Sequence, residues 1–300
     1  MIRLGTRGSA LALAQARWVA ERLSGEVELV PITTSGDERT RGTPELTDKS
    51  RFVKEIEDAL LTGSIDLAVH SAKDVPAELP DGLAIVAVPE RADARDALCG
   101  APSIDSLASG AVVGTASLRR RAALLALRPD LDVRALRGNV DTRLRKLAEG
   151  EFDAVVLAAA GLIRLQRDED GAPLDPGSFV PAAGQGCLAL EAGADDDAVA
   201  AAAGALTDRS ALTALTAERA LVHALDATCH TPVGAHAVLG GETLRLTAFV
   251  GLPDGSHWVR DELEADAGDP SSLGAAVAER MLAAGAAELL AEAERVALRS

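Results

Sequence analysis

The sequence is poor in the residue types on which many nucleic-acid-binding and secreted proteins depend. Its 300 residues include no tyrosine and only 2% aromatic residues, so no stacking platform for single-stranded nucleic acid is available. Three widely spaced cysteines, an odd number, imply no disulfide framework and favour a reducing compartment. The apolar run at 154–163 is too short to span a bilayer, and the run at 10–14 is too short for a signal peptide. We therefore expect a soluble cytoplasmic protein that binds neither membranes nor nucleic acid.

Positive charge is scarce overall and concentrated in one segment. The formal net charge is −16 and the isoelectric point is about 4.7, which disfavours an anionic macromolecular partner. Residues 112–167 nevertheless contain eleven Arg and Lys against six Asp and Glu, a local charge of +5 that leaves −21 for the remainder. This asymmetry indicates a small anionic ligand at a focused site, although a solvated helix face with mixed charge would also explain it.

The first two thirds of the chain alternate apolar runs with amphipathic stretches. The pattern predicts a strand, a helix that opens at Ser9, a second strand, a helix that ends at Gly63 and a third strand, and residues 112–163 repeat this order. Strands that alternate with helices indicate α/β architecture with parallel or mixed sheets. The pattern Gly-Thr followed by Ser occurs at 5–9 and again at 114–117. This internal repeat favours two similar lobes that face each other across a cleft. The alternative is chance similarity in an Ala/Leu-rich chain.

The pattern changes near Ser210. A helix leads to the segment around Cys229, a three-stranded meander follows, and a last helix runs from about Ser272 to the C-terminus. This part reads as a separate α+β domain. The predicted division is lobe 1 at 1–90 with 187–206, lobe 2 with arginine-rich loops at 91–186, and a C-terminal domain that carries Cys229 at 207–300.

Loops that follow predicted strands are rich in hydroxyl groups and arginine. They contain Thr6, Arg7 and Ser9; Thr115, Ser117, Arg119 and Arg120; and Arg137, Gly138 and Asn139. Ligands bind open α/β sheets at the carboxyl ends of strands, where helix N-termini favour anions and arginine matches a carboxylate with two hydrogen bonds. The loops thus predict a site for carboxylates or phosphate, with ordinary helix capping by Ser117 as the simpler interpretation.

Two further stretches carry candidate chemistry. "AVHSAKDVP" places His70, Ser71, Lys73 and Asp74 at the end of a buried strand, which is a common active-site position, although Asp74 could equally cap a local turn. Cys229 follows a helix and precedes a Pro-Gly turn, and a nucleophile, a metal ligand, a covalent tether or a buried thiol would look similar there. A site combining it with His223, His230 and His236 matches no standard zinc spacing, so no metal is predicted.

The ordered motifs resemble those of the porphobilinogen deaminase (hydroxymethylbilane synthase) family along essentially the whole chain. The matching stretches are "AVHSAKDVP", "GTASLRRR", "LRGNVDTRL", "AAGLIRL", "PAAGQGCLALE" and "TAERAL…CHTPVGAHA". The resemblance implies a monomeric transferase of porphyrin and haem biosynthesis with two periplasmic-binding-protein-like lobes. It would condense four porphobilinogen units head to tail into hydroxymethylbilane, releasing ammonia, on a dipyrromethane cofactor attached through a cysteine thioether.

The resemblance also assigns roles to individual residues. It implies that Asp74 is catalytic, stabilising the positive charge that develops as ammonia leaves, and that Cys229 is the tether. The implied cofactor-binding residues are Ser71, Lys73, Thr115, Ser117, Arg119, Arg120, Arg137, Arg143 and Gln185, together with Cys229. The implied substrate-binding residues are Arg7, Ser9, Arg137, Arg143 and Arg164. Cys99 and Cys187 are expected to be buried bystanders.

The chain departs from the family pattern at two places. Ala227 and Thr228 stand where two glycines usually precede the tether cysteine, and the loop before "FVKE" keeps a matching Lys49 but lacks the usual glycines. A ligand-binding module without chemistry would share the two-lobed fold. The Lys73-Asp74 pair and the separate domain that carries Cys229 favour the enzyme.

Overall fold

The computed structural model of the chain describes residues 1–33, 53–228 and 231–297. Its strands are β1 Ile2–Arg7, β2 Val27–Ile32, β3 Leu67–Ser71, β4 Leu83–Ala87, β5 Asp96–Cys99, β6 Val112–Gly114, β7 Asp132–Arg134, β8 Ala154–Ala158, β9 Ala172–Pro173, β10 Leu188–Gly193, β11 Val233–Gly240, β12 Thr243–Gly251 and β13 Trp258–Asp266. Its α-helices are α1 Ala10–Ala20, α2 Lys54–Leu61, α3 Leu118–Leu127, α4 Val140–Ala148, α5 Ala159–Arg164, α6 Asp197–Gly204, α7 Arg209–Ala224, α8 Pro270–Ala283 and α9 Ala286–Ala297. Single 3₁₀ turns form at Ala72–Asp74 and Asp168–Asp170.

A mixed five-stranded sheet organises the first compact unit, Met1–Ala92 with Gly186–Leu212. The strand order is β2-β1-β3-β10-β4, in which β1 is parallel to β2 and β3, and β10 is antiparallel to β3 and β4. Side chains alternate between the two faces along a strand. Leu67 and Val69 therefore share a core with α1 and α6, while Ala68 shares a core with α2.

A second mixed five-stranded sheet lies in the other compact unit, Asp93–Gln185 with Thr213–Ser300. Its order is β7-β6-β8-β5-β9, with β6 parallel to β7 and β8 and with β5 antiparallel to β8 and β9. Buried side chains of α3 pack into one core of this sheet, and those of α4 and α5 pack into another. Helices thus cover both faces, as parallel strands require.

The same unit contains the antiparallel sheet β11-β12-β13, whose pairs run from Val233 opposite Val250 and from Thr243 opposite Asp266. Helices α7, α8 and α9 supply the apolar side chains that cover it. The sheet also reaches the neighbouring core, because Phe249 of β12 packs with residues of α3. Gly255, in the turn after β12, lies so close to α3 that a Cβ there would collide with the backbone of Leu125.

The fold class predicted from the sequence is confirmed, with two mixed α/β sheets and a C-terminal three-stranded sheet packed with helices. The prediction of a single last helix was wrong. Two helices occupy its place, since α8 ends at Ala283 and Gly285 takes a left-handed φ of +96° before α9 begins. The three-domain division with its stated boundaries stays a prediction. Among the described helices, none is long and apolar enough to cross a membrane.

Candidate active site

Polar residues of the first unit follow two neighbouring parallel strands. Because β1 and β3 are parallel, with Leu4 opposite Leu67, both strands end at the same edge of the sheet. The predicted residues at this edge are Arg7 and Ser9 after β1, and Ser71, Lys73 and Asp74 at and after the end of β3. All five are half-buried. The structure therefore delivers every predicted residue of this unit to one sheet edge.

The turn that carries Asp74 is tied to the strand beside it. Ala72–Asp74 form one 3₁₀ turn, in which Val75 N donates to Ala72 O at 3.3 Å. Ala72 N in turn donates to Cys187 O, 3.1 Å away, just before β10 begins. The backbone of the turn is thus anchored beside the start of β10, the antiparallel neighbour of β3.

Ser9 has a structural role in addition to its predicted contact with substrate. Its extended backbone and its Oγ, which accepts from Ala12 N at 3.3 Å, cap the N-terminus of α1. The first backbone N–H groups of α1 therefore point toward the same edge as Arg7.

A buried cluster of ionisable groups lies on the α2 side of this sheet. The Nε2 atom of His70 is 2.9 Å from Oε2 of Glu191, and the two residues are 5% and 0% exposed. Glu57 of α2 is also buried. Burial raises the pKa of Glu57, and the charge of Glu191 raises it further, while His70 opposes the shift.

The second unit repeats this arrangement around three parallel strands. β6, β7 and β8 end at one edge, where Thr115 and Ser117 follow β6 and where Arg137 follows β7. Arg143 lies in the second turn of α4, and its Nε donates to Gly138 O at 2.8 Å. Arg164 is the last residue of α5, the short helix that starts directly at the end of β8.

Capping residues open both longer helices at this edge. The Oγ of Ser117 accepts from Arg120 N at 3.4 Å, and Oδ1 of Asn139 accepts from Thr142 N at 2.9 Å. Thr115 Oγ1 accepts from Ser117 N at 3.2 Å. The capping interpretation of Ser117 thus holds. Two helix N-termini beside arginines also make this edge favourable for anions.

Arg119 and Arg120 are buried and meet at Asp96. Asp96 is 0% exposed; its Oδ2 lies 2.8 Å from Nη1 of Arg119, and its Oδ1 accepts from Nε of Arg120 at 2.9 Å. Gln185 Nε2 donates to the same Oδ1 at 3.1 Å and to Ala94 O at 2.8 Å. The structure thus brings together three of the predicted cofactor-binding residues around a carboxylate that was not predicted.

Electrostatics in this cluster follow from two guanidinium groups sharing one carboxylate. Burial alone would raise the pKa of Asp96, but Arg119 and Arg120 outweigh burial and hold that pKa at about 2. The guanidinium groups also donate to Val180 O at 2.7 Å and to Val156 O at 2.9 Å. One positive charge therefore remains in excess, on side chains whose direction is fixed by the protein.

The predicted tether Cys229, with His230, lies outside the described residues, as does Lys49. The chain on both sides of Cys229 is well anchored. Glu218 of α7 is fully buried and accepts from Gly184 N and from Ala237 N, each at 2.7 Å. Ala235 N donates to Pro181 O at 2.8 Å. The segment that holds Cys229 thus starts and ends beside the 181–185 stretch that carries Gln185.

The other two cysteines are buried, as predicted. Burial raises the pKa of the Cys99 thiol to about 11, so it is a poor nucleophile at neutral pH. Over the part of the chain that the structure covers, no group of three His, Cys, Asp or Glu side chains is arranged to hold a metal ion.

Sequence reasoning missed buried acids that organise these sites, among them Asp96 and Glu191. Each is a single acidic residue in an otherwise apolar strand, in "DALC" and in "LALEAG". Acidic residues are almost never fully buried unless they are paired, so each was a detectable signal. Their partners were not detectable, because Arg120 and His70 lie far away in sequence.

Two family models match the chain. One, described as "Porphobilinogen deaminase, dipyromethane cofactor binding domain", covers residues 2–201, and the other, "Porphobilinogen deaminase, C-terminal domain", covers residues 212–283. The protein named porphobilinogen deaminase from Deinococcus radiodurans is 47% identical over 96% of this chain and 97% of its own length. The Thermus thermophilus protein of the same name is 48% identical over 97% of this chain and 99% of its own length.

Solved structures with some likeness include periplasmic proteins. A periplasmic substrate-binding protein of an ABC transporter from Coxiella burnetii is 15% identical, with coverage of 71% of this chain and 94% of that one and a TM-score of 0.40. A TRAP periplasmic solute binding protein from Desulfovibrio salexigens is 13% identical, with coverage of 69% and 72% and also a TM-score of 0.40. Scores this low support no argument about function.

Proposed function

The chain belongs to the porphobilinogen deaminase family, and we propose that the residues at its two sheet edges carry out the reaction of that family. The activity is the condensation of porphobilinogen into a linear tetrapyrrole, hydroxymethylbilane, in tetrapyrrole biosynthesis. The observation that carries this conclusion is the match of both family domains, with 47% identity to a named relative over nearly the full chain. Each addition breaks the C–N bond of an aminomethyl group and forms a C–C bond to a pyrrole carbon. That carbon loses its proton, and the proton and the departing amino group together make up the ammonia that is released.

The cofactor of this family is a dipyrromethane, and the charges of the second unit fit it. A dipyrromethane made from porphobilinogen carries acetate and propionate groups, which require positive partners. Two buried guanidinium groups share the single carboxylate of Asp96, and the N-termini of α3 and α4 open at the same edge. When bound, the dipyrromethane supplies the free pyrrole carbon to which the first porphobilinogen unit is joined.

We assign the holding of this cofactor to specific side chains of the chain. Cys229 is the proposed covalent tether, in register with "TPVGAHA". The proposed noncovalent partners are Thr115, Ser117, Arg119, Arg120, Arg137, Arg143 and Gln185, with Ser71 and Lys73 of the first unit. Among these, Arg119 and Arg120 have their direction set by Asp96, so they would meet a carboxylate without losing side-chain freedom at that moment.

Asp74 is the proposed catalytic residue. Departure of ammonia from porphobilinogen leaves a developing positive charge on the substrate, and a fixed carboxylate lowers the energy of that transition state. The backbone hydrogen bond from Ala72 to Cys187 supports this role, since it holds the turn in place before the substrate arrives. Arg7, Ser9, Arg137, Arg143 and Arg164 are the proposed partners of substrate carboxylates.

We further propose that the chain acts as a monomer in the cytoplasm and binds no nucleic acid. The net charge of −16 supports the last point, because phosphate backbones would be repelled. Light scattering of the purified protein at several concentrations tests the monomer, and a concentration-dependent mass would contradict it.

The experiment that tests the function measures stoichiometry. The purified protein is incubated with porphobilinogen, and substrate loss, ammonia and linear tetrapyrrole are quantified. We expect four porphobilinogen molecules consumed and four ammonia molecules released per tetrapyrrole. Binding of porphobilinogen without release of ammonia would instead indicate a ligand-binding module.

A further inference from the structure

The strand that precedes Asp74, β3, contacts its neighbour β10 through both backbone and side chains. β3 pairs antiparallel with β10, with Leu188 opposite Ser71 and Ala189 opposite His70. His70 directly precedes the Ser71–Asp74 segment, and only four peptide bonds separate it from Asp74, so a displacement of His70 is passed on to the turn. What fixes His70 therefore bears on where Asp74 points.

The side chain that fixes His70 is Glu191 of β10. Glu191 is two residues beyond Ala189 on β10, so it points to the same face as His70. Its Oε2 is 2.9 Å from Nε2 of His70, and neither residue has more than 5% of its surface exposed. Among the described residues, Nε2 of His70 and both carboxylate oxygens of Glu191 make no hydrogen bond, so this close approach is an electrostatic contact between the two side chains.

A carboxylate in this position would be costly if it served packing alone. The surrounding strand residues are apolar, and an apolar side chain would fill the same space without the penalty of burying charge. We propose that Glu191 and His70 are positioning residues of the condensation reaction, holding the end of β3 so that the Asp74 carboxylate is already oriented when ammonia departs. This inference rests on the proposed role of Asp74 and adds two residues to it.

Glu57 of α2 provides a matched control within the same cluster. It is a buried glutamate that interacts electrostatically with both Glu191 and His70. It lies on a helix, however, and not on either of the two strands that carry the turn. Glu57→Gln thus makes the same chemical change in the same surroundings without touching the contact that holds His70.

The test is a double-mutant cycle between Glu191→Gln and Asp74→Asn on the full-length enzyme loaded with its cofactor. A loss of orientation at a reacting group costs on the order of 10²-fold in rate, so we expect kcat of Glu191→Gln to fall about 10-fold to 10²-fold, with KM changed by less than about 3-fold. In the Asp74→Asn background the same change should have almost no further effect, since the group it orients has already lost its charge. Glu57→Gln should keep the wild-type kcat.

Several results would overturn the inference. One is a wild-type kcat in Glu191→Gln; another is an equal fold-loss in the presence and absence of the Asp74 carboxylate. A loss that merely follows the unfolded fraction in a melting curve would also count against it. If Glu191→Gln does not fold, His70→Phe removes the ring nitrogen that contacts Glu191 and must show the same dependence on Asp74. The rates of the wild type and of Asp74→Asn test the proposed function, whereas only the rates of the Glu191 and His70 variants test this inference.

Discussion

Asp74 is the residue at which capping a turn and catalysing a reaction have different consequences. If it only closes a turn, Asp74→Asn should be nearly silent, because an amide oxygen still accepts a local hydrogen bond. If its charge stabilises the developing cation, we expect turnover to fall on the order of 10²–10³-fold with the melting temperature unchanged. Asp74→Glu keeps the charge one methylene farther out and should lie between Asn and wild type. Wild-type turnover in Asp74→Asn would remove the residue from the mechanism.

Asp96 shows how one buried residue governs the stability of a binding site. Its pKa of about 2 lies below the ordinary value of 3.8, so the folded state favours the ionised carboxylate. A depressed pKa contributes stability that is present above pH 4 and disappears as the pH falls through about 2. The shift corresponds to about 2 kcal/mol.

We therefore expect Asp96→Asn to lower the free energy of unfolding by about 3–5 kcal/mol at pH 7, since two guanidinium groups lose their partner. The difference from wild type should shrink between pH 4 and pH 2 in urea titrations. Asp93→Asn, which removes the partly exposed partner of Arg95, is the control and should cost less than about 1 kcal/mol. An equal cost at both positions would mean that the buried network contributes nothing special.

The same network changes how Arg119 and Arg120 must be tested. Replacing either arginine by leucine would leave Asp96 buried with half of its charge compensation, so loss of product could reflect misfolding alone. Lysine keeps the charge but lacks the planar fork. In Arg119→Lys and Arg120→Lys, therefore, a loss of cofactor assembly would indicate that the guanidinium group binds the cofactor.

At the scale of elements, the N-terminus of α3 combines a cap with a proposed anion site, and one substitution separates the two roles. Aspartate caps a helix about as well as serine. We expect Ser117→Ala to cost about 1 kcal/mol of stability, and Ser117→Asp to restore that stability while it repels the cofactor carboxylates and blocks cofactor assembly. Denaturant titration and intact mass measure the two effects. The control is Asp269→Ser at the start of α8, where Oδ1 of Asp269 accepts from Ser272 N, and this variant should keep the cofactor.

Ser117→Asp variants that carry the normal cofactor would show that this helix end is a cap and nothing more. Full loss of stability in Ser117→Asp would instead mean that the hydroxyl has a packing role that neither interpretation includes.

Elements that carry their signal locally were predictable from the sequence. Ser9 and Ser117 open helices because the capping bond is made three residues along the same chain. The last helix was predicted without a break because a glycine in a helical pattern is tolerated, and only the left-handed φ of Gly285 ends α8. The Asp96 and Glu191 contacts were not predictable, since each joins residues from separate strands or helices whose pairing the local pattern does not encode.

At the scale of the whole molecule, acidic residues outnumber basic ones, while one segment carries a local excess of positive charge. The chain has 46 acidic and 30 basic residues, yet the 112–167 segment is positive. Of its arginines, Arg119 and Arg120 are buried against Asp96, and others, such as Arg137, remain exposed at the sheet edge. Such a pattern focuses small carboxylates on one region while the remaining surface repels larger anions.

The intact mass of the protein, measured for the wild type and for each cysteine variant, shows which of the three cysteines carries the covalent cofactor. Protein expressed in a host that makes porphobilinogen should, under denaturing conditions, have an intact mass larger than the bare chain by two pyrrole units. Cys229→Ala should lose this increment and nearly all activity. Cys99→Ala and Cys187→Ala should keep it, because both thiols are fully buried and the pKa of Cys99 is raised to about 11, which leaves little thiolate to form a thioether. Peptide mapping locates the adduct, and finding it on Cys99 or Cys187 would overturn the assignment of Cys229.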